Sequence, residues 1–356
     1  MTEPYNSEPY NALEALNESQ KLAFSPVAFQ AAWTLKELNI LSVLDSAGKE
    51  GLKISEIAKQ NAITEYGIGV LLDMGLSIGL VYRKDNTYII AKMGKMMLYD
   101  EMTRVNMAFT QDVCYEAMAH LTESIKNGKP EGLKVLGDWP TIYPGLPFLP
   151  TKAKTAWHEF DHYYSDKAFP VTLPLIFREN PKVLYDIGGN TGKWSLECVR
   201  YNQEIQIKIL DLPQQISRAE KNVESAGYSD RISGLAIDLL DLNAIIPSGA
   251  DIYWMSQFLD CFSKEQIISI LKRIRSAMKP DSKIYIMELL WDQQRYEAAS
   301  YSLNAISLYF TALANGDSRF YEKADFLTMI EQSGLTVSEL INDIGPGHTL
   351  LVCSPN

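Results

Sequence analysis

The sequence predicts a two-part α/β protein: a mostly helical N-terminal region closed by a β-hairpin, then a parallel sheet with helices on both faces. Two observations carry that prediction. From Pro181 onward, short apolar runs alternate with helical patterns, the arrangement of parallel strands joined by crossover helices. Between Ser25 and Ile90 the order is helix, helix, helix, hairpin, which is that of a winged helix. At 356 residues the chain is long enough for two domains and an ample core.

Taken in order, the first residues hold a near-repeat, Glu3-Pro-Tyr-Asn6 and Glu8-Pro-Tyr-Asn11. It is too brief to be an architecture, so residues 1–20 read as a flexible arm or one draped over a partner. Apolar residues recur at helical spacing from Ser25 to Leu44, then in Lys53 to Ala58 and Tyr66 to Ile78. Gly79 to Arg83 and Thr87 to Ile90 flank Lys84-Asp-Asn86 as a hairpin. Residues 21–105 therefore form a winged-helix-like region. No Lys or Arg occurs from Gln60 through Tyr82, the span of the would-be recognition helix. Groove readers rely on those side chains for phosphates and guanines. A helix apolar on most faces is instead buried against another subunit or domain, so the region predicts a homodimer rather than DNA binding.

Residues 106–180 read as a helical connector that lines a pocket. Glu101 to Gly128 is helical, Gly137 to Pro150 is a Pro-, Gly- and aromatic-rich loop, and helices resume over Ala153 to Phe177. Residues 181–356 hold the sheet, with strands near 183–187, 205–210, 232–237, 251–255 and 283–289. Leu335 to Ile341 and His348 to Cys353, joined through Gly345-Pro-Gly347, read as a closing antiparallel pair.

Composition narrows the partners. A net charge of −11, from 33 basic and 44 acidic residues, disfavours nucleic acid and anionic membranes. The four cysteines, Cys114, Cys198, Cys261 and Cys353, show no pairing that suggests zinc or a disulfide framework. With neither a signal-peptide core nor 18 uninterrupted apolar residues, a cytoplasmic location is expected.

The chemistry is announced at Val183-Leu-Tyr-Asp186-Ile-Gly188-Gly-Asn190-Thr-Gly192. An apolar strand reaches an acidic residue and a glycine turn, and a helical pattern follows from Lys193. A second apolar strand, Ile205 to Leu210, closes on Asp211, a carboxylate suited to ribose hydroxyls. A dinucleotide site wants G-x-G-x-x-G, but Asn190 and Lys193 stand where its second and third glycines would be. The pattern instead resembles motif I of class I S-adenosylmethionine (SAM) methyltransferases, with Asn190 in the middle glycine's place. Asparagine tolerates left-handed dihedrals better than other side chains.

The chain as a whole resembles the plant-type and bacterial small-molecule O-methyltransferases, similar to those acting on caffeic acid, acetylserotonin or hydroxyneurosporene. The resemblance is sharpest in Asp186 to Gly192, Leu210-Asp-Leu-Pro213, Ile237-Asp-Leu-Leu240 and Asp251 to Leu259. It implies a Rossmann-like, seven-stranded methyltransferase sheet behind a winged-helix dimerisation domain, and SAM as cofactor. By the same resemblance, Asp186, Gly188 and Gly192 belong to the cofactor turn. Asp211 holds the ribose with Leu212 against the adenine, and Asp238 and Leu239 take the adenine amino group and ring face. Ser256, Gln257 and, less directly, Ser165 fall near the methionine end or adenine edge. Phe148, Trp157, Tyr163, Tyr164, Tyr309 and Phe310 lie in segments that line the acceptor pocket of relatives, which implies a flat aromatic or polyene acceptor.

The chain departs from the pattern at the catalytic loop. Relatives read Leu-His-Asp-Trp, and the histidine deprotonates a hydroxyl; here the residues are Leu259, Asp260, Cys261 and Phe262. Of the two glutamates that bracket the histidine, Glu288 matches one, and Ser318 stands at the other. A phenol near pKa 10 and an aspartate near 4 leave direct proton removal uphill by roughly six units, about 8 kcal/mol. Three readings follow: Asp260 is a base whose pKa is raised by Glu288 and an apolar pocket; the acceptor needs little deprotonation; or methyl transfer has been lost and the fold only binds. His158 and His162 lie one turn apart without a third ligand at diagnostic spacing, so no metal is expected, although Asp260 with Glu288 mimics part of the magnesium site of catechol-type enzymes.

Overall fold

The computed structural model describes residues 5–356; the start of the near-repeat, at Glu3 and Pro4, lies outside the described residues. The chain divides into two compact units, residues 1–111 and 112–356.

In the first unit, the second half of the expected arm belongs to a helix, Ala12–Ala23, started by a capping box between Asn11 and Glu14. None of its residues is buried, and Leu13, Leu16 and Leu22 face solvent. The single helical run expected over Ser25 to Leu44 is two helices, Ser25–Glu37 and Ile40–Ala47. They part at Asn39, whose φ of 57° is left-handed, a conformation asparagine adopts at modest cost. Helices Ile54–Asn61 and Glu65–Ser77 follow, the second capped by the Thr64 hydroxyl. Strands β1 (Val81–Lys84) and β2 (Thr87–Ile90) then pair antiparallel around a turn with Asp85 at φ 52°. Leu35, Ile40, Leu41, Leu44, Ile57, Ile68 and Leu72 are fully buried together, so one stripe of each helix supplies the core.

The helical stretch expected over Glu101 to Gly128 is broken. A helix Glu101–Phe109 passes into a π turn at Thr110–Cys114, a 3₁₀ turn at Ala117–His120 and a helix Leu121–Asn127. Helices Thr151–Asp166 and Phe169–Phe177 lead into the sheet.

The sheet of the second unit has seven strands in the order β5-β4-β3-β6-β7-β9-β8. Strands β3 (Val183–Ile187), β4 (Gln206–Asp211), β5 (Ile232–Ala236), β6 (Ile252–Ser256) and β7 (Lys283–Glu288) run parallel. Strands β8 (Leu335–Ile344) and β9 (His348–Pro355) close it antiparallel. Alternate residues feed two cores: Leu184, Ile207, Ile209 and Trp254 pack on one face, Tyr185, Ile187, Tyr253 and Met255 on the other. The path leaves β3 on one side for β4 and returns on the other at β6. That reversal opens a crevice beyond the carboxyl ends of β3 and β6, where ligands of such sheets bind.

Candidate active site

The crevice is built on the turn after β3. Gly188, Asn190 and Gly192 hold φ values of 72°, 49° and 76°, so Asn190 occupies the middle glycine's place in the left-handed conformation that place requires. A Cβ on Gly188 would lie 2.2 Å from the Phe258 ring, and one on Gly189 would lie 2.8 Å from Asp186 Oδ2. Asp186 sits behind the turn, where its Oδ2 accepts from Ser195 Oγ at 2.6 Å and burial pushes its carboxyl up to about 7. The turn also grips the next strand. Asn190 N donates to Asp211 Oδ2 at 2.8 Å and Leu212 N to Asp211 Oδ1 at 2.7 Å. Burial raises the Asp211 carboxyl to about 6 against the pull of those two N–H groups.

The cleft beside this turn is lined by Asp186, Gly188, Gly189, Asn190, Trp254, Ser256 and Gln257 from the sheet edge, by Lys193 and Trp194 from the helix Lys193–Tyr201, and by Asp161, Ser165 and Phe169 from the helices before β3. Of the expected cofactor residues, Asp186, Gly188, Ser256, Gln257 and Ser165 meet on it directly. Gly192 starts the following helix, and Asp211 and Leu212 adjoin it through Asn190. Asp238 is exposed, and its Oδ1 caps its own turn at Leu240 N, 2.8 Å away. Leu239, expected on the adenine face, is buried with Ile237, Leu259 and Ile267 in one of the two cores. Gln257 has φ 46°, and its Oε1 lies 3.2 Å from Nε2 of buried His348. The Oγ of Ser256 and the Nε1 of Trp194 are buried without hydrogen-bond partners.

The catalytic loop leaves β6 and tightens into a 3₁₀ turn at Leu259–Cys261. Asp260 is 5% exposed, and burial foremost, with the charge of Asp161 behind it, pushes its carboxyl up to about 7. Glu288, 1% exposed at the end of β7, accepts from Phe258 N at 3.0 Å and Leu259 N at 2.8 Å with Oε1, while Oε2 is buried and unpartnered. Burial and the nearby Asp260 hold the Glu288 carboxyl well above its ordinary range. Each of two neighbouring buried carboxyls disfavours the charge of the other. Ser318 does not replace the second glutamate: its Oγ donates to Asn315 Oδ1 at 2.9 Å, and Asn315 Nδ2 donates to Cys261 O at 2.7 Å. The pair braces the loop from behind.

Among the expected pocket aromatics, Trp157 Nε1 donates to Tyr309 OH at 2.7 Å, and Tyr309 packs at 5.4 Å from Phe310 at the start of a π turn, Phe310–Ala314. Tyr164 is buried against Phe160 and Tyr163, and Tyr163 lies under Lys167 Nζ at 3.8 Å. Phe148 is 74% exposed and joins none of these aromatics by a ring contact. His158 and His162 stack at 6.3 Å, and burial lowers the His158 imidazole to about 4. Three neighbours of the site lie outside the expected cofactor, pocket and catalytic residues. Asp161 reaches Asn190 Nδ2, 3.3 Å from its Oδ2. Tyr143 places a buried, unbonded hydroxyl near Cys261 and Asp260. Trp194 stacks on Trp254 at 4.4 Å.

Known protein families and structures match the chain in sequence and fold. An O-methyltransferase domain matches residues 177–336 and a Dimerisation2-like domain matches residues 17–88. The chain is similar to the L-tyrosine C(3)-methyltransferase of Streptomyces lavendulae, at 24% identity over 92% of this chain and 89% of that protein. It is similar also to the 3-amino-4-hydroxybenzoate 4-O-methyltransferase of Streptomyces cremeus, at 21% identity over 87% and 82%. In fold it matches the SAM-dependent methyltransferase SibL in its apo form, with a TM-score of 0.74, 20% identity and coverage of 96% of this chain and 99% of that one. Mitomycin 7-O-methyltransferase MmcR follows at a TM-score of 0.72, 20% identity and 97% and 98% coverage. With a methyltransferase domain and a dimerisation domain matched on one chain, the protein belongs to the SAM-dependent O-methyltransferases, a family of small-molecule biosynthetic enzymes.

Proposed function

We propose that the protein moves the SAM methyl group to a hydroxyl oxygen of a hydrophobic aromatic or polyene molecule, with Asp260 as the base in the place of the family's histidine. The observation that carries the reading is a buried Asp260 whose carboxyl is pushed up to about 7. Against a phenol near pKa 10, the uphill proton transfer shrinks from about six units to about three, or about 4 kcal/mol. Glu288 keeps Asp260 in place by binding the N–H groups of Phe258 and Leu259.

The residues of the cleft fit SAM: the turn sets left-handed backbone at Gly188, Asn190 and Gly192 beside it, and Ser256 Oγ and Trp194 Nε1 are buried polar groups awaiting a partner. Bound SAM supplies an electrophilic methyl group on its sulfonium. In this reading Asp211 orients the ribose, Leu212 and the Asp238–Leu239 segment border the adenine, and Gly188 and Gly192 admit the methionine end. The exposed leucines of Ala12–Ala23 support a homodimer.

Asp260→Asn tests the chemistry. The variant is expected to bind SAM as the wild type does while kcat on an identified acceptor falls by about 100-fold or more. The wild-type rate is expected to rise with pH through about 7, where Asp260 ionises. Unchanged turnover in the variant would remove Asp260 from the mechanism. A second reading is favoured by the tyrosine C(3)-methyltransferase relative: the ionised hydroxyl directs the methyl to a neighbouring ring carbon. Proton NMR of the product separates a methoxy group from a ring methyl. A protein that binds SAM and methylates neither position would have lost the transfer step.

A further inference from the structure

With its carboxyl at about 7, Asp260 still faces a hydroxyl near 10, so about three units of the proton transfer are left for another group to supply. A hydrogen-bond donor aimed at the oxygen that becomes negative is one physical means. Tyr143 is placed for it. Its helix, Ile142–Gly145, is a single turn, but it is pinned from several sides. Ile142 is fully buried, and a Cβ on either Gly137 or Gly145 would run into the Trp139 ring, which is wedged between the two glycines. The helix packs on the π turn Phe310–Ala314. Asn315, next after that turn, donates Nδ2 to Cys261 O at 2.7 Å. One turn thus carries both Tyr143 and the loop of Asp260.

The hydroxyl of Tyr143 is buried without a hydrogen-bond partner. The groups that bear on it are the Cys261 thiol, the Tyr309 hydroxyl and the Asp260 carboxyl. Cys261 Sγ, a weak partner at best, lies 3.5 Å from Asp260 Oδ1. Tyr309 OH accepts from Trp157 Nε1 at 2.7 Å. Burial foremost holds the Tyr143 hydroxyl well above its usual range, so it keeps its proton and remains a donor. A buried donor beside the base, with no acceptor of its own, calls for an oxygen from outside the chain.

We infer that Tyr143 is a catalytic residue whose hydroxyl donates to the acceptor's oxygen while Asp260 takes that oxygen's proton. The proton passes to the Asp260 carboxylate, and Tyr143 keeps its own throughout. The oxygen's lone pair forms the new bond to the methyl carbon, and the carbon–sulfur bonding pair stays on sulfur. The inference rests on the reading that Asp260 is the base. It also sets a preference: Tyr143 favours weakly acidic hydroxyls, because an acceptor that is already ionised gains nothing from help with its proton.

The test uses the full chain with S-adenosylhomocysteine bound and para-nitrophenol as the acceptor probe. The phenolate of this probe absorbs visible light that the neutral phenol does not, so absorbance across pH reports the ionisation of the bound probe. Tyr143→Phe keeps the ring and loses the hydroxyl. In it the bound probe is expected to ionise about one pH unit higher than in the wild type, the size of a lost hydrogen bond to a charged oxygen. An unchanged midpoint would overturn the inference. Turnover supplies a second measurement. Tyr143→Phe is expected to slow para-cresol, whose hydroxyl is as weakly acidic as that of tyrosine, by about tenfold, and para-nitrophenol by less than about twofold. Equal loss on the two probes would mean that Tyr143 only shapes the pocket, and would overturn the inference as well. Calorimetry showing wild-type affinity for S-adenosylhomocysteine certifies that the variant is folded. Unchanged turnover in Asp260→Asn removes the base whatever Tyr143→Phe does, so the two failures are told apart.

Discussion

The turn after β3 and the loop after β6 leave neighbouring parallel strands at the same edge of the sheet, yet they work by different means. The turn acts through its backbone: left-handed dihedrals at Gly188, Asn190 and Gly192, and the N–H groups of Asn190 and Leu212 that hold Asp211. The loop acts through buried ionisable side chains, Asp260 and Glu288, whose protonation depends on what surrounds them. A site made of backbone tolerates a changed side chain, as Asn190 shows. A site made of side chains changes its chemistry when one of them changes, and the proposed role of Asp260 in the histidine's place would be that case.

The sharpest way to break the contrast is Asp211→Ala. It removes the acceptor for two backbone N–H groups and, in the proposed reading, for the ribose as well, so calorimetry should show SAM binding weakened by about 100-fold, with any residual turnover recovered at saturating cofactor. If binding holds and turnover collapses, the division of labour is wrong. A smaller and more selective effect is expected at Glu288. Because burial and the nearby Asp260 push its carboxyl up, the neutral Glu288→Gln should keep kcat within about tenfold, whereas Glu288→Ala leaves Phe258 N and Leu259 N unpaired and should cost about 1–3 kcal/mol of stability in denaturant unfolding. Equal damage from both substitutions would show that the charge of Glu288, not its shape, is used.

The smallest effect is read in the cofactor-free protein. Asp186, Asp211 and Asp260 have carboxyls raised to about 7, 6 and 7, whereas in the unfolded chain they titrate near 4. Between about pH 4 and 7 the folded state therefore binds more protons, so stability is greatest at the acid end and falls as pH rises through that window. Thermal melts should show Tm falling by several degrees from pH 5 to 8, and Asp186→Asn should flatten the slope. A Tm that climbs over that range would mean that these carboxyls are ionised in the folded state.

The sequence exposed the backbone-built region far better than the other. Strand β3 is found at Val183–Ile187, as its apolar run predicts, because a strand buried on both faces must be continuously apolar. Asp211 closes β4 as expected, although Gln206 and Lys208 interrupt that strand's apolar run. The helical connector was less legible: neither the π turn at Thr110–Cys114 nor the separation at Asn39 has a pattern that helical periodicity can distinguish. Around Asp260 the limit was spatial. Tyr143, Asp161 and Asn315 come from segments remote in sequence, and nothing in their local patterns says that they converge. Trp194 reads as one more apolar residue at the start of a helix, and only its unpartnered Nε1 sets it apart.

The Phe258 ring fills the space that a side chain on residue 188 would need. One glycine thus belongs to the turn after β3 and at the same time seats the loop that carries Asp260. A side chain at 188 would displace the Phe258 ring, two residues before Asp260, so a change in the turn would be felt in the loop as well.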